Sequence, residues 1–298
     1  MSGEVFEAQV GKILELRRRL EGSSIVDSFQ KALGGALQSG SGPLDVLRRI
    51  SDLAVAAIEE SLYAEFSADR IDESKARDAY DKLSDALGVE AWRVVFVTTN
   101  YDPSIEIGLA AIGRQFATGF AAPGVDQPEQ LEPQNMTTRA LSEARTPILH
   151  LHGAVGWYVR NYVTGSGLVQ RIVKLPSDGR PTRDPDYTPA LLLPDPKKEP
   201  IGDPLLQPVW REFEQNILRG AKYILVVGHG LNDSALTRAI EVTAIKGHSV
   251  PVGVGTVEPD RVGSKVAKVL PGAEVFLMEF SAGFDTGDFL DWRRKHHV

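Results

Sequence analysis

Four consecutive apolar residues, Val94 to Val97, give way without transition to Thr98, Thr99, Asn100, Tyr101 and Asp102. The run "VVFV" is continuous and β-branched rather than alternating, the pattern of a strand covered on both faces in a parallel sheet. A chain built on such strands has to supply helices to both faces. It does so directly: Asp102 and Pro103 form an N-cap and first-turn pair, and Ile105, Leu109, Ile112 and Phe116 follow at helical spacing. "PILHLHG" (Pro147 to Gly153) predicts a second strand with a polar tip. "YILVVGHGLNDSAL" (Tyr223 to Leu236) predicts a third, whose glycine-bracketed turn leads into a helix that Asn232 or Asp233 would cap. "SVPVGVGTVEP" and "AEVFLMEF" predict a fourth and a fifth. The expected fold class is α/β, a Rossmann-like doubly wound parallel sheet.

The segment before residue 91 predicts helices only. Phe6, Val10, Ile13, Leu14 and Leu20 recur at helical spacing, and so do Leu44, Leu47, Ile50, Ala54, Ala57, Ile58 and Leu62 after the Gly- and Ser-rich connection Gly34 to Pro43. Ala76, Ala79, Tyr80, Leu83, Ala86 and Leu87 give a further stripe that stops at Gly88. The expected organisation is a helical portion, 1–90, packed on the same domain as a core at 91–298. That core carries a long insertion at about 156–205, rich in Pro, Gly and the aromatic residues Trp157, Tyr158, Tyr162 and Tyr187. Alternation there is weak, with a small hairpin expected at Gly167 to Leu175 and Trp157 and Tyr158 as core of the insertion.

Composition removes several function classes. A net charge of −7 argues against a protein that binds nucleic acid by neutralising phosphates. With no cysteine there is neither a disulfide framework nor a cysteine-ligated zinc site. No early apolar run resembles a signal peptide or a membrane span, so the expected compartment is the cytoplasm.

In an open parallel sheet, ligands bind beyond the carboxyl ends of the strands. Thr98, Thr99, Asn100 and Asp102 fall there after the first strand, His150 and His152 after the second, and Gly228, His229, Gly230, Asn232 and Asp233 after the third. The glycines allow close backbone approach to phosphates, and a histidine serves as a base near neutral pH. Plainer readings exist: Asp102 as a helix cap, His150 as a hydrogen-bonded core histidine, His229 as packing. A metal-dependent hydrolase would use His150, His152, Asp102 and Asp233 as ligands, although no carboxylate stands at a diagnostic spacing from the His-x-His pair.

"TTNYD" (Thr98 to Asp102), "LHG" (Leu151 to Gly153) and "VVGHGLND" (Val226 to Asp233), in that order, resemble the sirtuin-like domains of bacterial NAD-consuming proteins of the antiphage-defence type. The closing "GFDTGDFL" (Gly283 to Leu290) is similar to the last helix of that group. The resemblance implies an NAD glycohydrolase that cleaves the nicotinamide–ribose bond, with NAD as substrate and no metal. It implies Asn100 at the nicotinamide ribose, positioning a water, and His152 as base. Asp102 would hold the nicotinamide end, with Thr99, Gly228, His229, Gly230 and Asn232 in the nucleotide crevice. It further implies a homo-oligomer or a partner protein. Two departures accompany it: the cysteine zinc module of sirtuin deacylases is missing, and nothing before Val94 matches the usual strand and Gly-rich pyrophosphate loop. Either the true start lies upstream, or another segment or chain fills the central slot, or the fold has diverged. The alternative function is a catalytically defective nucleotide-binding or scaffold module of a larger assembly.

Overall fold

The structure is a computed structural model that describes residues 60, 63–64, 66–87, 94–121, 128–132, 136–164, 167–175, 187–191, 205–227, 231, 233–278 and 287–296. The chain divides into two units, Met1–Leu62 and Tyr63–Val298. The helices expected before residue 60, and Gly88, lie outside the described residues.

Helix α1 (Glu73–Leu87) buries Leu83, Ala86 and Leu87, the lower half of its expected stripe. Strand β1 (Phe96–Thr98) leads into α2 (Ser104–Ala111). Phe116, expected on that helical stripe, instead forms β2 (Phe116–Ala117). The helix ends early because Gly113 takes φ +71, and the amides of Gly113 and Arg114 turn back onto the carbonyls of Ala110 and Leu109. After β3 (Phe120–Ala121), β4 (Glu129–Leu131) and α3 (Thr138–Ser142) comes β5 (Thr146–His150), buried throughout. Strands β6 (Trp157–Thr164), β7 (Gly167–Lys174) and β8 (Tyr187–Pro189) precede α4 (207–220), which contains a π-helical stretch. Strand β9 (Ile224–Val227) is followed by α5 (234–247), π-helical over its second half. The chain closes with β10 (Val252–Thr256), α6 (Pro259–Val269), β11 (Glu274–Leu277) and α7 (Gly287–His296).

The α/β class holds. Two parallel sheets, in the orders β1-β5-β2 and β11-β10-β9, share both of their hydrophobic layers. Val95 and Val97 pack into the large core that contains Val226 and Val254. On the opposite face Val94 and Phe96 join Leu225, Val227, Phe276 and the buried side of α1. This is why "VVFV" reads as continuous: its successive side chains enter two different cores. Among the described residues, no strand pairs with β1 on the side away from β5, nor with β9 on the side away from β10.

The insertion is more ordered than its sequence implies. Strands β6 and β7 pair antiparallel over their full length, from Trp157–Lys174 to Thr164–Gly167, within a five-stranded sheet β3-β4-β7-β6-β8. Alternation is masked because both faces are covered where β6 begins. Trp157 stacks edge-on against Phe120 and His150, whereas Tyr158 bonds the Tyr63 hydroxyl at 2.8 Å and packs on Tyr187. Both are core residues, 2% and 1% exposed.

Candidate active site at the strand ends

Strands β1 and β5 run parallel with Thr98 opposite His150. Asn100 and His152 each lie two residues beyond that pair, so they leave adjacent strands at the same level and from the same end. Backbone bonds knit the two exits together: the Leu151 amide donates to the Thr98 carbonyl and the Val155 amide to the Tyr101 carbonyl, each at 2.9 Å. The first exit turns tightly because the Thr98 hydroxyl accepts from the Asn100 amide at 3.0 Å. Asp102 then accepts from the Ser104 amide at 2.9 Å, but the helix takes Pro103 and not Asp102 as its N-cap, so the expected cap lies one residue too early and Asp102 closes the turn before the helix. Asn100 is exposed, and Thr99 and Asp102 are half-buried beside it. Burial pushes the hydroxyl of Tyr101 up to about 12, keeping it neutral at physiological pH.

The second exit depends on Gly153. With φ +77, it lies so close to the backbone of Ala190 that a Cβ there would fall 1.9 Å from the Ala190 carbonyl oxygen. The buried Trp210 indole donates to the Leu151 carbonyl at 3.0 Å and fixes the same turn from α4. His152 emerges from it with its side chain 12% exposed, and its Nε2 bonds Asp233 Oδ2 at 2.8 Å.

Asp233 brings in the third strand end. Its Oδ1 accepts from the amides of Ala235 and Leu236, capping α5, so the carboxylate is fixed by a helix N-terminus while Oδ2 faces the imidazole. Burial opposes its ionisation, but the His152 bond and the two amides outweigh burial and hold its pKa below the ordinary carboxylate value. The preceding Leu231 sits at φ 51, a strained conformation for a branched buried residue. Gly228, His229, Gly230 and Asn232 lie outside the described residues.

His150 has a different fate. It is fully buried, its Nε2 lies 2.8 Å from Glu106 Oε1 on α2, and its Nδ1 makes a long 3.4 Å contact to the Asn100 carbonyl. Residues two apart on a strand face the same way, but β5 ends at His150 and the chain turns before His152. The four groups of a metal reading therefore do not converge. The histidines take separate carboxylate partners, and among the described residues no group of three or more His, Asp or Glu is placed to hold an ion.

A family model for the SIR2-like domain matches residues 94–247, just over half of the chain. The chain belongs to the SIR2-like domain family. The matched segment runs from β1 through α5 and so contains all three strand ends of the site. SIR2-like domains use NAD, and membership implies NAD binding and an NAD-dependent activity in general. A comparison with curated proteins gives no match. Among the described residues no helix of this SIR2-like chain is long and apolar enough to cross a membrane.

Sequence reasoning placed Asp233 as a cap or metal ligand and did not pair it with His152, because a contact across 81 positions leaves no local signal. Glu106 was missed altogether. Its signal was a lone acidic side chain in the otherwise apolar run "IEIGLAAI", flanked by Ile105 and Ile107 on a helix packed into the core.

Proposed function

We propose that this SIR2-like chain hydrolyses NAD at the N-glycosidic bond, giving nicotinamide and ADP-ribose. The bond from the ribose anomeric carbon to the pyridinium nitrogen breaks, and its electron pair leaves with nicotinamide, which becomes neutral. A water oxygen bonds to the anomeric carbon and loses one proton. Positive charge builds on the ribose as nicotinamide departs, so the pocket gains most by delivering that water and stabilising an oxocarbenium-like state. In this reading Asn100 contacts the ribose and positions the water, and Asp102 and Thr99 border the nicotinamide end. His152 takes the proton through Nδ1, its other nitrogen being held by Asp233. Gly228, His229, Gly230 and Asn232 belong to the nucleotide crevice.

The observation that carries the reading is the pairing of exits: Asn100 and His152 leave neighbouring strands at one level, with His152 tethered to a fixed carboxylate. Loss of cellular NAD as an antiphage response, and an oligomer or partner protein as its trigger, follow from the likeness to bacterial NAD-consuming proteins. One observation favours a second reading, a nucleotide-binding or scaffold module without turnover: the edges of β1 and β9 carry no partner strand among the described residues, at the place where a doubly wound sheet binds phosphates. The test is nicotinamide release from NAD by the purified chain, followed by chromatography, beside Asn100→Ala and His152→Ala. Release abolished by either substitution supports hydrolysis. Equal background release from all three, with ADP-ribose still bound in calorimetry, establishes the binding module.

A further inference from the structure

We propose that Glu106 and His150 form a buried positioning pair that sets the Asn100 loop for the reaction, an inference that rests on the NAD-hydrolysis reading.

The pair links three elements. Glu106 comes from α2, His150 from the last position of β5, and the Asn100 carbonyl from the exit of β1. His150 has no solvent exposure and is held on edge against Trp157 at 5.4 Å, so its ring cannot turn away from either partner. Both partners are acceptors: a carboxylate oxygen at Nε2 and a carbonyl oxygen at Nδ1. A neutral imidazole donates to only one of them, and a doubly protonated ring satisfies both. Glu106 takes the shorter contact, at Nε2, and so fixes the plane in which Nδ1 meets the Asn100 carbonyl. It is faced in turn by Lys174 of β7, by Tyr80 of α1 and by Asp102 through Tyr80.

A purely structural role accounts poorly for this arrangement. The second carboxylate oxygen, Glu106 Oε2, is buried with no hydrogen-bond partner among the described residues. Stability alone disfavours a half-satisfied buried carboxylate, since apolar residues of similar volume pack the same space at no such cost. What the pair supplies instead is direction, a fixed imidazole set against the carbonyl of Asn100 where the chain leaves β1. Displacement of a reacting group by about 1 Å costs on the order of 100-fold in rate.

The test compares Glu106→Gln with the conservative Glu106→Asp and with Val266→Ala, a fully buried core substitution on α6, a helix that contributes no residue to the site. Nicotinamide release and amide hydrogen exchange over residues 98–102 are measured for each. The expected result is a kcat reduced about 10- to 100-fold in Glu106→Gln, with KM for NAD within about twofold. Partial recovery in Glu106→Asp and faster exchange over 98–102 in Glu106→Gln alone complete the pattern. If Glu106→Gln behaves like Val266→Ala, losing melting temperature while kcat and exchange over 98–102 stay as in Val266→Ala, the pair is structural and the proposal fails. Should the unsubstituted chain release no nicotinamide, the hydrolysis reading falls, and the exchange comparison decides alone whether Glu106 orders the loop.

Discussion

Replacing Asp233 by Asn separates its two duties. As a cap it accepts two backbone amides on Oδ1, and an asparagine Oδ1 does this about as well as aspartate. As the partner of His152, Oδ2 accepts the hydrogen bond from Nε2 across 2.8 Å, and an amide NH2 in its place presents donors. The ring then carries its proton on Nδ1 and turns its lone pair toward the new amide, so the nitrogen assigned to the water is blocked. The helix survives this change, and only the charge assistance of one hydrogen bond is lost, roughly 1 kcal/mol and a fall in melting temperature of about 2–4 °C. Under the proposed hydrolysis, catalysis loses its general base, on the order of 100-fold or more in kcat. Asp233→Ala removes the cap as well, a further loss of about 1 kcal/mol. Differential scanning fluorimetry and nicotinamide release on the two variants therefore give different orders. Asp233→Asn falls near the parent in stability and far below it in rate, and Asp233→Ala falls in both. An Asp233→Asn variant with the parent's kcat refutes the reasoning, because His152 would then need no orientation from Asp233.

Three further outcomes follow from the same geometry. Gly153→Ala drives a methyl into the Ala190 carbonyl and forces a non-glycine residue to φ +77, so a melting temperature lowered by several degrees or loss of soluble protein is expected, from a strain of about 1–3 kcal/mol. Trp210→Phe keeps the packing but strips the donor from the buried Leu151 carbonyl, which costs about 1–3 kcal/mol, readable as a shift in urea midpoint at constant slope. Glu106 and Asp233 both hold folded pKa values below their ordinary 4.5 and 3.8. Their contribution is fully present above those ordinary values and is lost as pH falls through the lowered ones, so thermal midpoints should drop progressively below about pH 4.5, and less steeply in Glu106→Gln.

The legible parts of the fold were those where one local pattern meets one environment. Val94 to Val97 and Tyr223 to Val227 enter apolar layers on both faces, while "SVPVGVGT" sends Val250, Val252 and Val254 into one layer and sets Gly253 and Gly255 against Phe276 and Met278 on the other, and each local pattern says so without reference to distant residues. The strands that escaped notice and are only two or three residues long, β2, β3, β4 and β8, exist because longer partners pair with them. The hairpin of β6 and β7 was placed only in its second half, since Trp157 and Tyr158, adjacent in sequence, are both buried on opposite faces and erase the period of two. The same limit applies at the site. Asn100, Asp102 and His152 announce themselves by standing at the ends of recognisable strands, whereas Glu106 and the Asp233 contact depend on which loop folds back onto which.

The two histidines of "HLHG" show how a single turn divides labour between identical side chains. Had β5 continued to His152, both rings would have pointed to one face and competed for one environment. The strand stops at His150 because Leu151 donates the last cross-strand bond, to Thr98, and Gly153 then takes a left-handed conformation that only glycine tolerates against Ala190. His150 is therefore left inside, where Glu106 bonds it, while His152 is carried to the rim, where Asp233 orients it without enclosing it. A buried imidazole locked between two acceptors has no free nitrogen with which to exchange protons, and a rim imidazole bonded through one nitrogen has the other available. The chemical asymmetry between residues two positions apart thus originates in the backbone of Gly153, whose turn separates the two environments.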